Sequence, residues 1–270
     1  MTGPVADSAA AITGALRRFF TAERIAAADG LLQQRDPRVV LLSTAGLAVA
    51  VMLSRSLAVV GLLGGLTLLL AWRSKVPVDR LAARSGVVPL VSALIVLPQV
   101  VLLPGEPLVE LWGLAVTDAG VGYLLLFTAR VAVGVTLLSL LVLTTPFSAI
   151  VAALRSLGLP VALVWVLAIT YRYLFLFFDE LQRLVVARNS RTRGASTRRA
   201  GWRDLRGIAG TFLLRTLDRG ERVGRGMRAR GGARAPSPYD RSDSLVAADY
   251  ALLSLAGLAL LGSGVVRWSL

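Results

Sequence analysis

Two short segments of the sequence end in arginine followed by glycine, and these are the residues best suited to contact another molecule. Residues 189–195 read NSRTRGA, and residues 225–232 read RGMRARGG. Glycine ends helices in the left-handed conformation, and arginine in the last turn favours the helix dipole, so each segment alone is typical of a helix stop. An exposed guanidinium can also form two parallel hydrogen bonds with a carboxylate. The pair therefore predicts helix stops, docking tips, or both.

The residue types that the chain lacks exclude several kinds of site. There is no cysteine and no histidine, so neither a thiolate nor an imidazole can bind zinc, copper or cobalt. A histidine base, a cysteine nucleophile and a disulfide are excluded for the same reason. The sequence contains no G-x-x-x-x-G-K-[ST] motif for a nucleotide. We expect a non-catalytic chain that binds no metal or cofactor itself.

The composition is that of an integral membrane protein. Of the 270 residues, 55% are hydrophobic and the mean hydropathy is +0.68, too apolar for an ordinary soluble domain. The net charge is +14, and residues 179–241 carry +10 of it, with 16 basic and 6 acidic residues. Because cytoplasmic segments of membrane proteins collect Lys and Arg, we expect this block in the cytoplasm. No compact apolar region of a cleavable signal peptide is visible before residue 35.

Apolar runs divide the chain into a membrane bundle and a basic region. Residues 1–38 are expected to be a cytoplasmic lead-in, with a weak helix over residues 9–28. Residues 39–143 predict about four spans. The first two lie within residues 39–72 and are separated at Arg55, and one long tilted helix is the alternative. Residues 86–103 and 121–143 form the next two, with a polar cytoplasmic link at 73–84 and an acidic outer loop at 104–120. After a loop at 233–244, residues 245–270 hold a fifth span over 245–266.

Two long helices are predicted in the basic region, which covers residues 144–232. The first runs over about residues 161–193. If its apolar start crossed the membrane, the basic block would lie outside, so we expect that it does not cross. The second runs over about residues 204–230. It contains Gly220 and Gly224, whose spacing predicts a close helix crossing.

Two arginines lie within apolar helices. Arg130 is inside the fourth span and either snorkels to an interface or pairs inside the bundle. Arg172 lies between two tyrosines in the first long helix, and we place both arginines among the buried charges of the coupling region. Between these helices, residues 144–160 predict a short amphipathic connector, either interfacial or docked on another subunit.

Three stretches carry a resemblance to a known family. They are RDPRVVLL at residue 35, the run from Leu140 to Gly194 that contains LTTPFSAIVAALRSLGLP and NSRTRG, and LLRTLDRGERVGRGMRARGG at residue 213. Together they resemble the transmembrane T component of energy-coupling factor (ECF) transporters, the CbiQ/EcfT family, and specifically its cobalt-transport branch. The similarity covers about residues 35–232.

The resemblance implies an all-α integral membrane protein with about five transmembrane helices, two long cytoplasmic coupling helices and a short connector helix. Its partners would be two ABC-type ATPase subunits, which use ATP, and a membrane substrate-binding S component. The protein would lie in the cell inner membrane with its N-terminus in the cytoplasm. It would take part in the uptake of cobalt ion or a vitamin. Ala229, Arg230 and Gly231 match the family's second ATPase-docking motif, and Arg193 and Gly194 match the first, with threonine at 192 in place of alanine.

Two other functions stay open at this point. A membrane enzyme acting on a lipid-linked substrate would need paired carboxylates, but Asp179 and Glu180 are adjacent and face different sides of a helix. A membrane-tethered binder of nucleic acid or anionic lipid would use the basic block and would release its ligand at high salt. We expect membrane lipids around the chain and no nucleic-acid partner.

Overall fold

The fold is known from a computed structural model, which describes Gly14 and residues 30–111, 114–191, 198–231 and 245–268. The described residues form two compact units. Residues 30–153 and 245–268 make up the bundle unit, and residues 154–231 make up the arm unit. The expected N-terminal helix at 9–28, apart from Gly14, and the expected loop at 233–244 lie outside the described residues.

The first apolar run folds into two short helices. Helix α1 spans Pro37–Leu53 and helix α2 spans Leu57–Arg73, so the predicted break near Arg55 is confirmed. Pro37 is the first residue of α1 and Asp36 is its N-cap. The Asp36 carboxylate accepts a hydrogen bond from the Arg38 amide at 2.8 Å.

The segment just before α1 is hydrogen-bonded to the C-terminal end of α2. The Leu31 amide donates to the Arg73 carbonyl at 3.4 Å, and the Gln33 side chain donates to the Ser74 carbonyl at 3.0 Å. These bonds satisfy carbonyls that the last turn of α2 leaves without an intrahelical partner. The two helices therefore form a hairpin that is closed at its base.

The segment from residue 76 to residue 117 is more structured than the sequence predicts. The expected polar link contains helix α3 (Val78–Ser85), and the expected third span is divided into α4 (Val87–Val96) and α5 (Gln99–Leu102). The division falls at Pro98, which lacks the amide that would continue the helix. The expected outer loop contains an antiparallel pair, β1 (Pro107–Leu111) and β2 (Leu114–Thr117).

Helix α6 (Asp118–Thr144) is the centre of the bundle unit. Thr117 caps it by accepting a hydrogen bond from the Gly120 amide at 3.2 Å. Helices α1 to α5 all pack against α6. The buried apolar core at this junction is formed by Leu47, Ala50, Val51, Val60, Leu63 and Leu137, with Ala256 from the last helix.

Gly120 marks the closest approach of α5 to α6. A Cβ atom built on Gly120 would lie 2.6 Å from both the Cα and the carbonyl oxygen of Val100. We expect Gly120→Ala to lower the free energy of unfolding by about 1–3 kcal/mol, because backbone atoms must move to make room. Gly122→Ala is the matched control, since nothing lies within 4 Å of a Cβ there. Equal melting temperatures in detergent for the two variants would contradict this packing.

The remaining helices are α7 (Phe147–Ser156), α8 (Val161–Arg191), α9 (Arg198–Ala229) and α10 (Ala247–Trp268). The predicted connector and both predicted long helices are confirmed as helices, although α9 begins six residues before the expected start at 204. α10 packs along α1, where Gly46 lies against Ala256. The boundary between the two units falls within α7, beyond the position 143 at which the sequence ends the bundle.

Four stretches are long and apolar enough to cross a membrane: Leu81–Leu102, Asp118–Thr144, Val161–Arg188 and Ala247–Gly264. α1, α2 and α7 are shorter apolar helices. The predicted class, an all-α membrane protein, is confirmed.

Candidate functional site

The C-terminal end of α9 carries the better of the two predicted docking motifs. Ala229 is the last helical residue, and Arg230 and Gly231 form the turn that follows it. Gly231 has a φ of 99°, a left-handed conformation that favours glycine. Its amide donates to the Arg228 carbonyl at 3.3 Å, and the Arg230 amide donates to the Met227 carbonyl at 3.1 Å. The helix therefore stops at the motif, as predicted.

All three motif residues at this end are exposed. Within the part of the chain that the structure describes, the Arg230 guanidinium makes no ion pair. Reversal of the backbone at Gly231 leaves the arginine at the tip of a 32-residue helix. Such a tip can place five donors in a groove of another protein. The predicted helix stop is therefore observed at this motif. Docking by Arg230 stays a prediction.

The first motif cannot be compared in the same way. α8 ends at Arg191, and Arg193 and Gly194 lie outside the described residues. In the sequence, Arg193 follows Arg191, the last described residue of α8, by two positions. Docking by Arg193 and Gly194 stays a prediction.

α8 and α9 cross each other through an apolar contact. The Phe177 and Phe212 rings meet edge to face with their centroids 5.8 Å apart. Val185 and Ile208 are buried together, 2% and 7% exposed. Positions 208, 212 and 215 share one face of α9, because residues three and four apart are neighbours on a helix. Apolar packing therefore holds the arm unit together.

An ion pair lies beside this contact. The Arg215 guanidinium donates to the Glu180 carboxylate. The Glu180 side chain is 14% exposed and the Arg215 side chain 57%, so solvent weakens the attraction. A pair of this kind contributes about 0–1 kcal/mol, less than the aromatic and aliphatic contacts. The sequence alone did not predict this pair, although Glu180 is one of only six acidic residues in the block 179–241.

The predicted helix crossing at Gly220 and Gly224 is not formed within the described chain. A Cβ on Gly220 would meet no atom within 4 Å, and one on Gly224 would meet only the Arg228 side chain of the same helix, at 3.6 Å. The crossing is absent there because α9 contacts α8 through positions 208, 212 and 215. The two glycines lie on a different face of α9. They line an open groove of about 470 Å³ together with Leu217, which is 58% exposed.

The two arginines of the apolar helices have different surroundings. Arg172 is exposed on α8, so the expectation of a buried charge was wrong for this chain. Arg130 lies in the bundle unit, is half-buried and donates to the Ser54 carbonyl through Nε at 2.9 Å and also through Nη2. Of the two readings of Arg130, pairing inside the bundle is the observed one.

No group of three or more His, Cys, Asp or Glu side chains that could hold a metal ion occurs among the described residues. Among the described residues, the exposed features of the arm unit include the helix tip at Arg230 and the open face of α9.

Comparison with known proteins matches most of the chain. The sequence model of the cobalt transport protein family, CbiQ, matches residues 30–238. Uncharacterized protein MJ1571 of Methanocaldococcus jannaschii is 25% identical over 215 residues, which are 77% of this chain and 74% of that protein. The cobalt transport protein CbiQ of Rhodobacter capsulatus is 30% identical over 126 residues, which are 46% of this chain and 50% of that protein. The matched range contains α1 to α9, including the crossing and the Arg230 tip, and the chain belongs to the CbiQ family of cobalt transport proteins.

Proposed function

We propose that this protein is the transmembrane coupling subunit, the T component, of an ECF-type ABC importer. The observation that carries the proposal is the exposed Arg230 at the tip of α9, fixed by the left-handed Gly231. In this role the chain is non-catalytic. It transmits the ATP-driven motion of two ATPase subunits to a separate substrate-binding membrane subunit.

The crossing of α8 and α9 suits the transmission of a motion. Arg230 lies 18 residues beyond Phe212, or about 27 Å along a helix. Arg191 lies 14 residues beyond Phe177, or about 21 Å. Two arms that leave one crossing can each enter a different ATPase subunit. Because an α-helix is hydrogen-bonded along its length, a displacement of either tip moves the crossing with it.

The chemistry of the tip fits a groove lined by carboxylates. A guanidinium remains charged and binds a carboxylate with two parallel hydrogen bonds. The alanine before Arg230 and the glycine after it keep the tip narrow, which permits a close approach of two backbones.

The cargo in this proposal is a micronutrient, cobalt ion or a vitamin, held by the S component. The chain offers no histidine or cysteine for a cobalt ion, which supports assigning the cargo to a partner. The basic arm unit supports a cytoplasmic position for α8, α9 and the N-terminus of a chain in the cell inner membrane.

Copurification tests the docking directly. The tagged chain would be purified from its native membrane as wild type and as Arg193→Ala/Arg230→Ala. We expect two ATPase subunits and one further membrane subunit with the wild type, and no ATPases with the double variant. Arg225→Ala/Arg228→Ala removes the same charge from exposed positions of α9 and should retain them. ATPases that are absent from the wild type, or bound equally to all three proteins, would refute the assignment.

A further inference from the structure

The bond between Arg130 and Ser54 lies where a helix ends inside the bundle. The backbone at Ser54 is extended, so α1 stops there, and its last carbonyls have no intrahelical partners. Ser54 is 1% exposed, and water cannot satisfy its carbonyl. Both Nε and Nη2 of Arg130 donate to that oxygen. The positive charge also faces the C-terminal end of α1, where the helix dipole favours a cation.

The position of this bond along α6 defines the height of the hairpin. Arg130 is 12 residues from Asp118 and 14 residues from Thr144, or about 18 Å and 21 Å along the helix. Met52 lies 3.4 Å from a Cβ placed on Gly134, and Val133 lies 3.1 Å from one placed on Gly64. Gly64 lies seven residues, or about 10 Å, beyond the start of α2, so its contact with Val133 places the turn about 10 Å closer to the N-terminal end of α6. The turn between α1 and α2 is therefore level with the first half of α6, short of its N-terminal end, and both helices extend from there toward the C-terminal end of α6.

The N-terminal end of α6 has a different neighbour. There Gly120 lies against the backbone of Val100 in α5. α1 and α2 have 17 residues each, or about 25 Å, whereas the hydrocarbon layer is about 30 Å thick. α6, with 27 residues, is about 40 Å long and can span the layer completely.

We propose that α1 and α2 form a re-entrant hairpin, whose turn stays within the membrane, and that Arg130 is the positioning residue that holds this turn. The start of α1 and the end of α2 form the base of the hairpin, where Leu31 and Gln33 donate hydrogen bonds to the end of α2. Basic residues cluster at the base, at Arg35, Arg73 and Lys75, as expected on the cytoplasmic side. At the turn, non-helical backbone lies within the hydrocarbon layer of the membrane. Such backbone requires a polar partner from the protein.

Cysteine labelling tests the depth of the turn, and the absence of native cysteine makes each introduced thiol unique. Ser56→Cys reports the turn, because the Ser56 side chain makes no capping bond. Glu106→Cys and Lys75→Cys, both at exposed positions, report the β1–β2 side and the hairpin base. A charged, membrane-impermeant maleimide would be added to sealed vesicles and then to permeabilised ones.

We expect the Ser56→Cys thiol to react at least about tenfold more slowly than both controls under either condition, because a charged reagent does not readily enter the apolar layer of the membrane. Labelling of Ser56→Cys from the same side as Glu106→Cys, and at the same rate, would show that the turn reaches the opposite surface. That result would overturn the re-entrant hairpin.

The role of Arg130 is tested in the same Ser56→Cys background. Arg130→Leu removes both donors and leaves the Ser54 carbonyl without a hydrogen-bond partner. We expect the turn to shift so that water reaches this carbonyl, and labelling to accelerate by about tenfold. Arg130→Lys retains the charge and one point of contact, so it should fall between the wild type and Arg130→Leu. Leu138→Ala, at an exposed position of the same helix, should leave the rate unchanged.

Unchanged labelling in Arg130→Leu would overturn the positioning role. If Arg130→Leu does not accumulate, Arg130→Gln decides the question, since its amide supplies one donor group instead of two. A rate equal to that of the wild type in Arg130→Gln would then contradict the proposal. Neither result depends on ATPase docking, so the hairpin can fail while the proposed coupling function stands.

Discussion

We expect cobalt uptake to fall to the background level in cells that carry Arg193→Ala/Arg230→Ala, although the variant should reach the membrane in the wild-type amount. We expect this result because each substitution removes a charged hydrogen-bonding group from one docking tip. Loss of such a bond costs about 1.5–3 kcal/mol, equivalent to a loss of roughly tenfold or more in affinity. Each single variant should therefore transport more slowly, and the double variant should not couple ATP hydrolysis to uptake.

The measurement is uptake of radiolabelled cobalt ion in cells without another cobalt importer, with the protein level checked by immunoblot. Arg225→Ala/Arg228→Ala is the control, because these arginines are exposed on the same helix but precede the tip. Full uptake by the Arg193→Ala/Arg230→Ala variant would refute docking through the tips. If the wild type restores no cobalt uptake, cobalt ion is not the cargo, and copurification still tests the docking.

Ile208→Ala should loosen the crossing of α8 and α9 and lower the stability of the arm unit by about 2–4 kcal/mol. Ile208 is 7% exposed and packs with Val185, beside the partly buried Leu181 and Leu184. The truncation removes three carbons from this small apolar cluster and leaves a cavity. We expect a lower melting temperature in detergent and faster proteolysis of α9, because the crossing is supported by few other contacts.

The matched control for Ile208→Ala is Leu217→Ala, which removes the same number of carbons from α9 at a side chain that is 58% exposed. It should change the melting temperature little. A large loss of stability in Leu217→Ala, or none in Ile208→Ala, would mean that α9 packs through a different face. Because the tips are carried by the crossing, Ile208→Ala should also reduce ATPase copurification even though it leaves Arg230 intact.

Exposure on α9 separates two possible uses of this helix. Its face at positions 208, 212 and 215 is occupied by α8, whereas Leu213, Leu214 and Leu217 are exposed by 58%, 66% and 58%. Gly220 and Gly224 continue that open face toward the tip. A soluble helix would not normally leave this apolar surface uncovered. The open face therefore agrees with a chain that works as one subunit of a larger membrane assembly.

Local features of the fold could be predicted from the sequence because they depend on neighbouring residues. The apolar runs predict α1, α2, α6 and α10, since hydropathy alone decides which segments can enter a membrane. The break between α1 and α2 follows from the polar residues at 54–56. The end of α9 follows from Gly231, which tolerates the left-handed conformation that a helix stop requires.

The errors arose where short elements or distant contacts decided the structure. The β1–β2 pair has strands of five and four residues, too short for a clear periodic signal. The pattern of Gly220 and Gly224 identified a face open to close approach, but a spacing cannot say whether a second helix of the same chain lies against it. Arg172 was expected to be buried because its neighbours are apolar, yet burial depends on whether other helices cover them.

The sequence by itself determined the membrane class, the positions of the long helices, the basic region and the arginine–glycine helix ends. These properties depend on local composition and on backbone preferences within a few residues. Only the tertiary structure decided that Arg130 holds the carbonyl of Ser54, 76 residues away, that Phe177 meets Phe212, and that the glycine face of α9 remains open. Such pairings join helices that are distant along the chain, and they follow from how whole helix surfaces fit together.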